Sequence, residues 1–184
     1  MSAAIKLGIA PYPKYLEQEL RSDHAGETGA VFIYKGVIAV ARLLKDQELI
    51  CFAKEHGATE AEHLRLIEVV FEEKYRSHLL VPWRIAGWLT GAIPALFGRK
   101  AVYATIDAVE TFVEQHYQVQ INYLRIHGGY EQLLNLLIRC QADEIEHKNE
   151  AKLKAAPTLP LALRVWCAMV GSGSAVAVLL ARRI

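Results

Sequence analysis

Strand signals are nearly absent from this 184-residue chain: no convincing run of period-two alternation is bounded by turn residues. The expected fold class is therefore all-α. Cysteine is sparse and odd in number. Cys51, Cys140 and Cys167 show no CxxC spacing, which argues against a disulfide framework or a thiolate metal site and fits a reducing compartment. The net charge is only +1 and no long Lys/Arg block is present, so nucleic acid is not an expected partner. No GxGxxG follows a strand, and the Gly-Ser run at 171 to 175 lies in an apolar segment, so no Rossmann-type nucleotide site is expected. The first 27 residues lack the basic-then-apolar layout of a secretory signal, and export is not expected.

What the chain does have is apolar residues, 53% of the total against 22% charged, recurring at three- and four-residue intervals. Such a composition suggests apolar surface kept for a partner or a bilayer. The length suits one domain spanning 1–184. Pro11 and Pro13 precede a first helix from about 14 to 44, and a second runs from about 47 to 75. A third spans about 99 to 127 and stops at Gly128-Gly129; a fourth covers about 130 to 155 and stops before Pro157. Four such helices make a bundle.

Two apolar segments lie outside these four helices. The segment near 79–98 carries Pro82, Arg84 and Pro94 with Trp83 and Trp88, which suits a helix lying at a membrane interface better than one crossing it. The segment near 159–182 is apolar for about twenty residues around Arg164, and the internal Arg and the Gly171–Ser174 patch favour a peripheral or core helix over a membrane span. A simple cover over the bundle core is the alternative for both.

Two short units carry the chemistry. Glu60-Ala-Glu-His63 and Glu144-Ile-Glu-His147 each place a carboxylate and an imidazole three residues apart, on one helix face. One ExxH means little in a chain with 16 Glu and 7 His, but the spacing adds more. The two units lie 84 residues apart, and Glu27 and Glu110 precede them by 33 and 34 residues, so the order Glu, ExxH repeats as two copies of a helix pair. Glu27 falls in the stripe Leu20, His24, Val31, Tyr34, Ile38, and Glu110 in Tyr103, Ile106, Val113, Tyr117, Leu124, faces that should point inward. Ionised carboxylates stay buried only if paired or bound to metal. Four Glu balance two divalent cations, and one nitrogen per metal among oxygens suits iron or manganese. This ligand set is the general pattern of ferritin-like di-iron carboxylate bundles.

Asp143, Asp107 and Asp23 are candidates to accept a hydrogen bond from a ligand imidazole, Asp143 the best of them. Glu62 and Glu146 fall on solvent faces and, like Glu114, are not taken as ligands. His24 fits a supporting or core role, and His56, His78 and His127 have no supporting pattern.

The stretches RSDHAGETGAVFIYKG, EAEH, AVETFVEQHY and ADEIEH together resemble the demethoxyubiquinone hydroxylase family of ubiquinone biosynthesis, the Coq7 family, from about residue 18 to the end. The resemblance implies a ferritin-like four-helix bundle with added membrane-interfacial helices, and Glu27, Glu60, His63, Glu110, Glu144 and His147 as ligands of two iron ions. It implies O2-dependent hydroxylation of a demethoxyubiquinone-type polyprenyl quinone, with His116 and Tyr117 matching a pair that serves the delivery of reducing equivalents. Tyr117 also fits as an aromatic core residue. Expected partners are the quinone, O2, a reductant (a reductase, NADH or the reduced quinone itself), a membrane surface, and a homo-oligomer or ubiquinone-biosynthesis complex. The implied location is peripheral, on the cytoplasmic face of a bacterial inner membrane or the matrix face of the mitochondrial one. The loop around EKYRSHLLVPW departs from the family pattern. Rival readings are a ferritin-like iron-storage or peroxide-reducing protein, disfavoured by the two greasy segments; a di-iron tRNA hydroxylase, disfavoured by the lack of a basic stripe; and a helical membrane adaptor.

Overall fold

The computed structural model describes residues 12–184. Pro11 and the rest of the stretch read above for a leader through residue 11 lie outside them. Six α-helices follow in order: α1 Lys14–Leu43, α2 Gln47–Val70, α3 Leu80–Ala95, α4 Arg99–His127, α5 Glu131–Lys154 and α6 Leu161–Ala181, with one 3-10 turn at Glu73–Tyr75. No strand occurs among the described residues, so the chain is an all-helical, ferritin-like bundle.

Local chemistry sets the helix ends. α1 and α2 are joined by a three-residue turn in which Lys45 takes a left-handed φ of 57°. The Asp46 side chain then accepts from the Leu49 N–H at 3.0 Å and caps α2. α4 lies between Gly98 and Gly128, both at positive φ (93° and 66°), a conformation in which any side chain would be strained. One boundary differs from expectation: α2 stops at Val70, not near 75. Phe71 turns to an extended φ of −129° and is only 1% exposed, so burial of its ring ends the helix where the local sequence would let it continue.

Packing pairs α1 with α2 and α4 with α5; α3 lies along α1, and α6 lies along α4 and α1. The core is divided in two. One apolar cluster gathers Val37, Phe52, Ile106 and Ala151; the other gathers Leu20, Ile67, Ile121 and Leu137. On each of the four bundle helices a Glu lies in sequence between the residues it gives to one cluster and those it gives to the other.

The α1–α3 crossing is very close. A Cβ at Gly87 would overlap the carbonyl oxygen of Gly29, and one at Gly91 would overlap that of Ile33. Gly87-x-x-x-Gly91 thus seats α3 backbone to backbone on α1, as small residues do wherever helices must approach closely. This leaves the other side of α3 to solvent, with Val81, Ile85, Trp88 and Leu89 all at least 40% exposed. α6 exposes Leu161, Val165, Met169 and Val176, and is the one described helix long and apolar enough to cross a membrane. Its end is pinned. Arg182 donates to Glu19 at 2.8 Å, and the His78 N–H donates to the Ile184 carbonyl at 3.0 Å.

Gly91→Ala is expected to destabilise the protein by about 1–3 kcal/mol through overpacking. Gly171→Ala, whose Cβ meets nothing within 4 Å, is expected to leave the thermal midpoint unchanged or slightly raised. Thermal unfolding of both variants checks the pair, and a loss in Gly171→Ala equal to that in Gly91→Ala would refute the crossing as the cause.

Candidate metal centre

At the level between the two apolar clusters, α1 contributes Glu27, α2 Glu60 and His63, α4 Glu110, and α5 Glu144 and His147. All six are buried, none more than 6% exposed. They form two overlapping groups in which one ligand atom from each residue lies within 4.8 Å of the others: Glu27, Glu60, His63 and Glu144, and Glu60, Glu110, Glu144 and His147. Glu60 and Glu144, the carboxylates of the two ExxH units, belong to both groups. Each remaining Glu and His belongs to one.

The electrostatics of this cage are those of a cation site. Oε2 of Glu27, Oε1 of Glu60, Oε2 of Glu144 and Nδ1 of His147 are buried without hydrogen-bond partners. Burial, with repulsion from neighbouring carboxylates, pushes the Glu27, Glu110 and Glu60 carboxyls above their ordinary range. Glu144 goes the other way. Burial alone would raise it, but the neighbouring His147 and His63 imidazoles outweigh that and hold it at about 2. Burial alone would likewise lower the imidazoles; their carboxylate partners instead raise His63 to about 10 and His147 to about 9. Without metal, protons on Nδ1 of the two imidazoles supply the positive charge that the carboxylates require.

The two imidazoles are oriented by different means. His63 donates from Nδ1 to Glu144 at 3.1 Å and from Nε2 to Asp143 at 2.9 Å, so Asp143 fixes the ring with Nδ1 turned inward. His147 Nδ1 lies 3.2 Å from Glu60 and 3.5 Å from Glu144. Its ring packs against His56, tilted by 36° with centroids 4.2 Å apart, and His56 bonds Glu150 at 2.9 Å. His56, which showed no pattern in the sequence, is thus a supporting residue of the centre. Its only signal was the spacing of four that places it one turn before Glu60.

Asp143 therefore fills the role read from register, and the other two aspartates do not. Asp23 accepts from His116 at 2.9 Å and Gln120 at 2.7 Å, and Asp107 bonds no imidazole among the described residues. Glu62 pairs with Arg65 at 2.7 Å, Glu114 with Lys148, and Glu146 is exposed. His24 bonds Glu68 at 3.2 Å, away from the centre. Tyr117 is buried and donates its hydroxyl to Glu27, while His116 is tied to Asp23. Both border a cavity of about 390 Å³ that has Glu27, Glu60, Glu110 and Glu144 among its lining residues and extends to Trp83 and Gly87 of α3 and Trp166 and Met169 of α6.

Metal removal gives this electrostatic picture a definite sign. In metal-free protein the raised imidazoles stabilise fully below about pH 6.5, and that contribution is lost as pH rises through about 9 to 10. The raised Glu27, Glu60 and Glu110 carboxyls act in the same direction, whereas the contribution of Glu144 is lost only as pH falls from about 4.5 toward 2. The thermal midpoint of metal-free protein should therefore fall from pH 7 to pH 10. Ferrous or manganous ion at pH 8 should restore it, by about 4 kcal/mol at a thousandfold excess over Kd. Calorimetry across pH checks this, and metal without effect on the midpoint would refute the centre.

The chain matches the family model of the ubiquinone biosynthesis protein COQ7 over residues 14–181. It is 33% identical over 172 residues to the mitochondrial NADPH-dependent 3-demethoxyubiquinone 3-hydroxylase of Dictyostelium discoideum, covering 92% of this chain and 77% of that protein. The corresponding Homo sapiens protein is 31% identical over 173 residues, covering 92% and 78%. The 3-demethoxyubiquinol 3-hydroxylase of Rhodospirillum rubrum is 32% identical over 172 residues, with the same two coverages. A match that runs through all four bundle helices, the six central Glu and His residues and both apolar helices places this chain in the Coq7 family of ubiquinone biosynthesis proteins.

Proposed function

We propose that the chain is an O2-dependent di-iron monooxygenase that hydroxylates the ring of a demethoxyubiquinone-type polyprenyl quinone in ubiquinone biosynthesis. The observation that carries this reading is the apolar cavity that joins the Glu/His cage to the gap between α3 and α6. A storage or peroxide-consuming centre has no need of such a chamber, whereas a ring with a polyprenyl tail does.

The residues fit two iron ions: Glu27 and His63 would serve one, Glu110 and His147 the other, and Glu60 and Glu144 both. Four carboxylates balance two ferrous charges, and the unpartnered oxygens of Glu27, Glu60 and Glu144 supply the donors. Bound there, the ions supply reductive activation of O2, chemistry that no side chain offers.

The protein contributes position, dryness and charge. Asp143 holds Nε2–H of His63 and so leaves Nδ1 for the metal. Tyr117 fixes the outer ligand Glu27 through its hydroxyl, and burial pushes that hydroxyl well above its ordinary pKa, so it stays a donor. His116, at the cavity wall and bonded to Asp23, is placed to pass protons as reducing equivalents arrive from NADH or a reductase. We further propose one domain over 1–184, with α3 and α6 resting their exposed apolar sides on the membrane where the quinone resides. That surface is the cytoplasmic face of the inner membrane in a bacterium and the matrix face of the mitochondrial inner membrane in a eukaryote. Its partners there are the quinone, O2, the reductant and a homo-oligomer or biosynthetic complex, without nucleic acid.

In a strain lacking quinone hydroxylation, this chain should convert the accumulated demethoxy precursor, as read from extracted quinones. Glu144→Ala should abolish conversion while far-ultraviolet circular dichroism retains the helical signal. Failure of the unaltered chain to convert the precursor, when expressed at levels that support iron loading, would refute the activity. Expressed without detergent, much of the protein should sediment with membranes, and full solubility would count against the interfacial role of α3 and α6.

A further inference from the structure

Buried polar groups are nearly always hydrogen-bonded, so the ones a cavity leaves unsatisfied describe its ligand. Apart from the four central carboxylates, most polar side chains around the 390 Å³ cavity are engaged. Trp166 donates to Thr105 at 2.9 Å, Thr90 to the Ala86 carbonyl at 2.9 Å, Ser174 to the Val170 carbonyl at 3.0 Å, and Ser22 to the Glu19 carbonyl at 2.7 Å. Two groups are not. The indole Nε1–H of Trp83 is buried with no acceptor, and Oδ2 of Asp23, on a side chain with no exposure, is buried with no donor.

One is a donor and the other an acceptor, and they come from the two helices that cross at Gly29 and Gly87. We propose that Trp83 and Asp23 form a two-point seat that orients the substrate ring: Trp83 donates to a ring oxygen, and Asp23 accepts from a ring hydroxyl. The seat rests on the ring-hydroxylase reading above and adds to it a choice of redox form. A quinone ring carries only acceptors and satisfies Trp83 alone. A quinol ring carries hydroxyls and satisfies both. A buried acceptor left unpaired opposes binding, so the site favours the reduced ring.

Asp23 is held in place for this task. Its other oxygen, Oδ1, accepts from Gln120 at 2.7 Å and from His116 at 2.9 Å, which turns Oδ2 away from that pair. The same contacts determine what Asp23→Asn would do. With the Gln120 N–H still donating at the Oδ1 position, the amide oxygen stays there and the new NH2 takes the Oδ2 position. An acceptor becomes a donor, and a quinone carbonyl can then satisfy it.

The test is equilibrium dialysis of the iron-loaded full chain, without oxygen, against a short-tailed monomethoxy benzoquinone and its quinol. The unaltered protein is expected to bind the quinol at least about tenfold more tightly. Trp83→Phe should weaken both forms, by about fivefold to tenfold, and leave their ratio unchanged. Asp23→Asn should collapse or reverse the ratio. Trp88→Phe, on the exposed side of α3, should change neither affinity, and circular dichroism confirms that each variant is folded. Equal binding of the two forms by the unaltered protein, or a Trp83→Phe variant with unaltered affinities, would overturn the seat while leaving the hydroxylase reading standing. An Asp23→Asn variant that keeps the original ratio would do the same. Binding of neither form would overturn the substrate reading and the seat together.

Discussion

Four carboxylates buried at one level of an apolar bundle are the constraint around which the rest of the molecule is organised. Each would oppose folding by several kcal/mol if left ionised and alone, so the four helices must bring them to a common cationic centre or not pack at all. That requirement fixes helix register. Glu27, Glu60, Glu110 and Glu144 divide the contributions of α1, α2, α4 and α5 into the same two apolar clusters, and a slip of one residue in any helix would rotate its Glu out of the cage. The charge problem and the folding problem have one solution.

The two halves of the cage are related by the 84-residue repeat, yet they are not finished alike. Asp143 precedes Glu144 and reaches across to His63, whereas Thr59 occupies the equivalent place before Glu60. His147 thus lacks the counterpart of that carboxylate. It is held instead by a row of tilted rings in contact, His147 on His56 and His56 on Phe52 at 4.1 Å, with Glu150 bracing the middle member. A hydrogen bond sets the tautomer of one imidazole and ring packing sets the plane of the other. The two Glu/His groups therefore differ in how tightly their imidazole is committed to one protonation state.

Much of this was legible in the sequence because it is local or periodic. Pro13, Gly128-Gly129 and Pro157 punctuate helices directly, and the cage follows from a repeat that needs no contact map. What the sequence hid depends on distant partners. The end of α2 is decided by burial of Phe71 in a cluster with residues more than fifty positions away. His56 acquires meaning only through His147 and Glu150, the latter 94 residues later. Asp23 shared the register of a ligand-supporting residue, but 93 residues on His116 claims it. The segment holding α3 was recognisable as greasy. That its glycines weld it to α1 depends on Gly29 and Ile33, whose neighbours nothing in the local pattern reveals.

The placement of α3 and α6 joins the surface of the protein to its chemistry. Had they covered the core with both faces, as one reading of their apolarity allowed, the cage would be sealed. Had α6 left the bundle to span a bilayer, the cavity would lose the wall formed by Trp166 and Met169. Instead each helix lays one side on the bundle and turns the other outward, so the apolar surface continues from the exposed residues, between the helices, to the carboxylates. On the proposed reading a molecule dissolved in a bilayer would travel that path without meeting water, since its tail would remain in contact with side chains as apolar as the lipid it leaves. On the same reading only the ring at its head would meet polar groups, at the Trp83 and Asp23 pair and at the cage. An apolar outer surface, which for most soluble proteins is an aggregation liability, is here the outer end of the same chamber that the buried carboxylates close at its inner end.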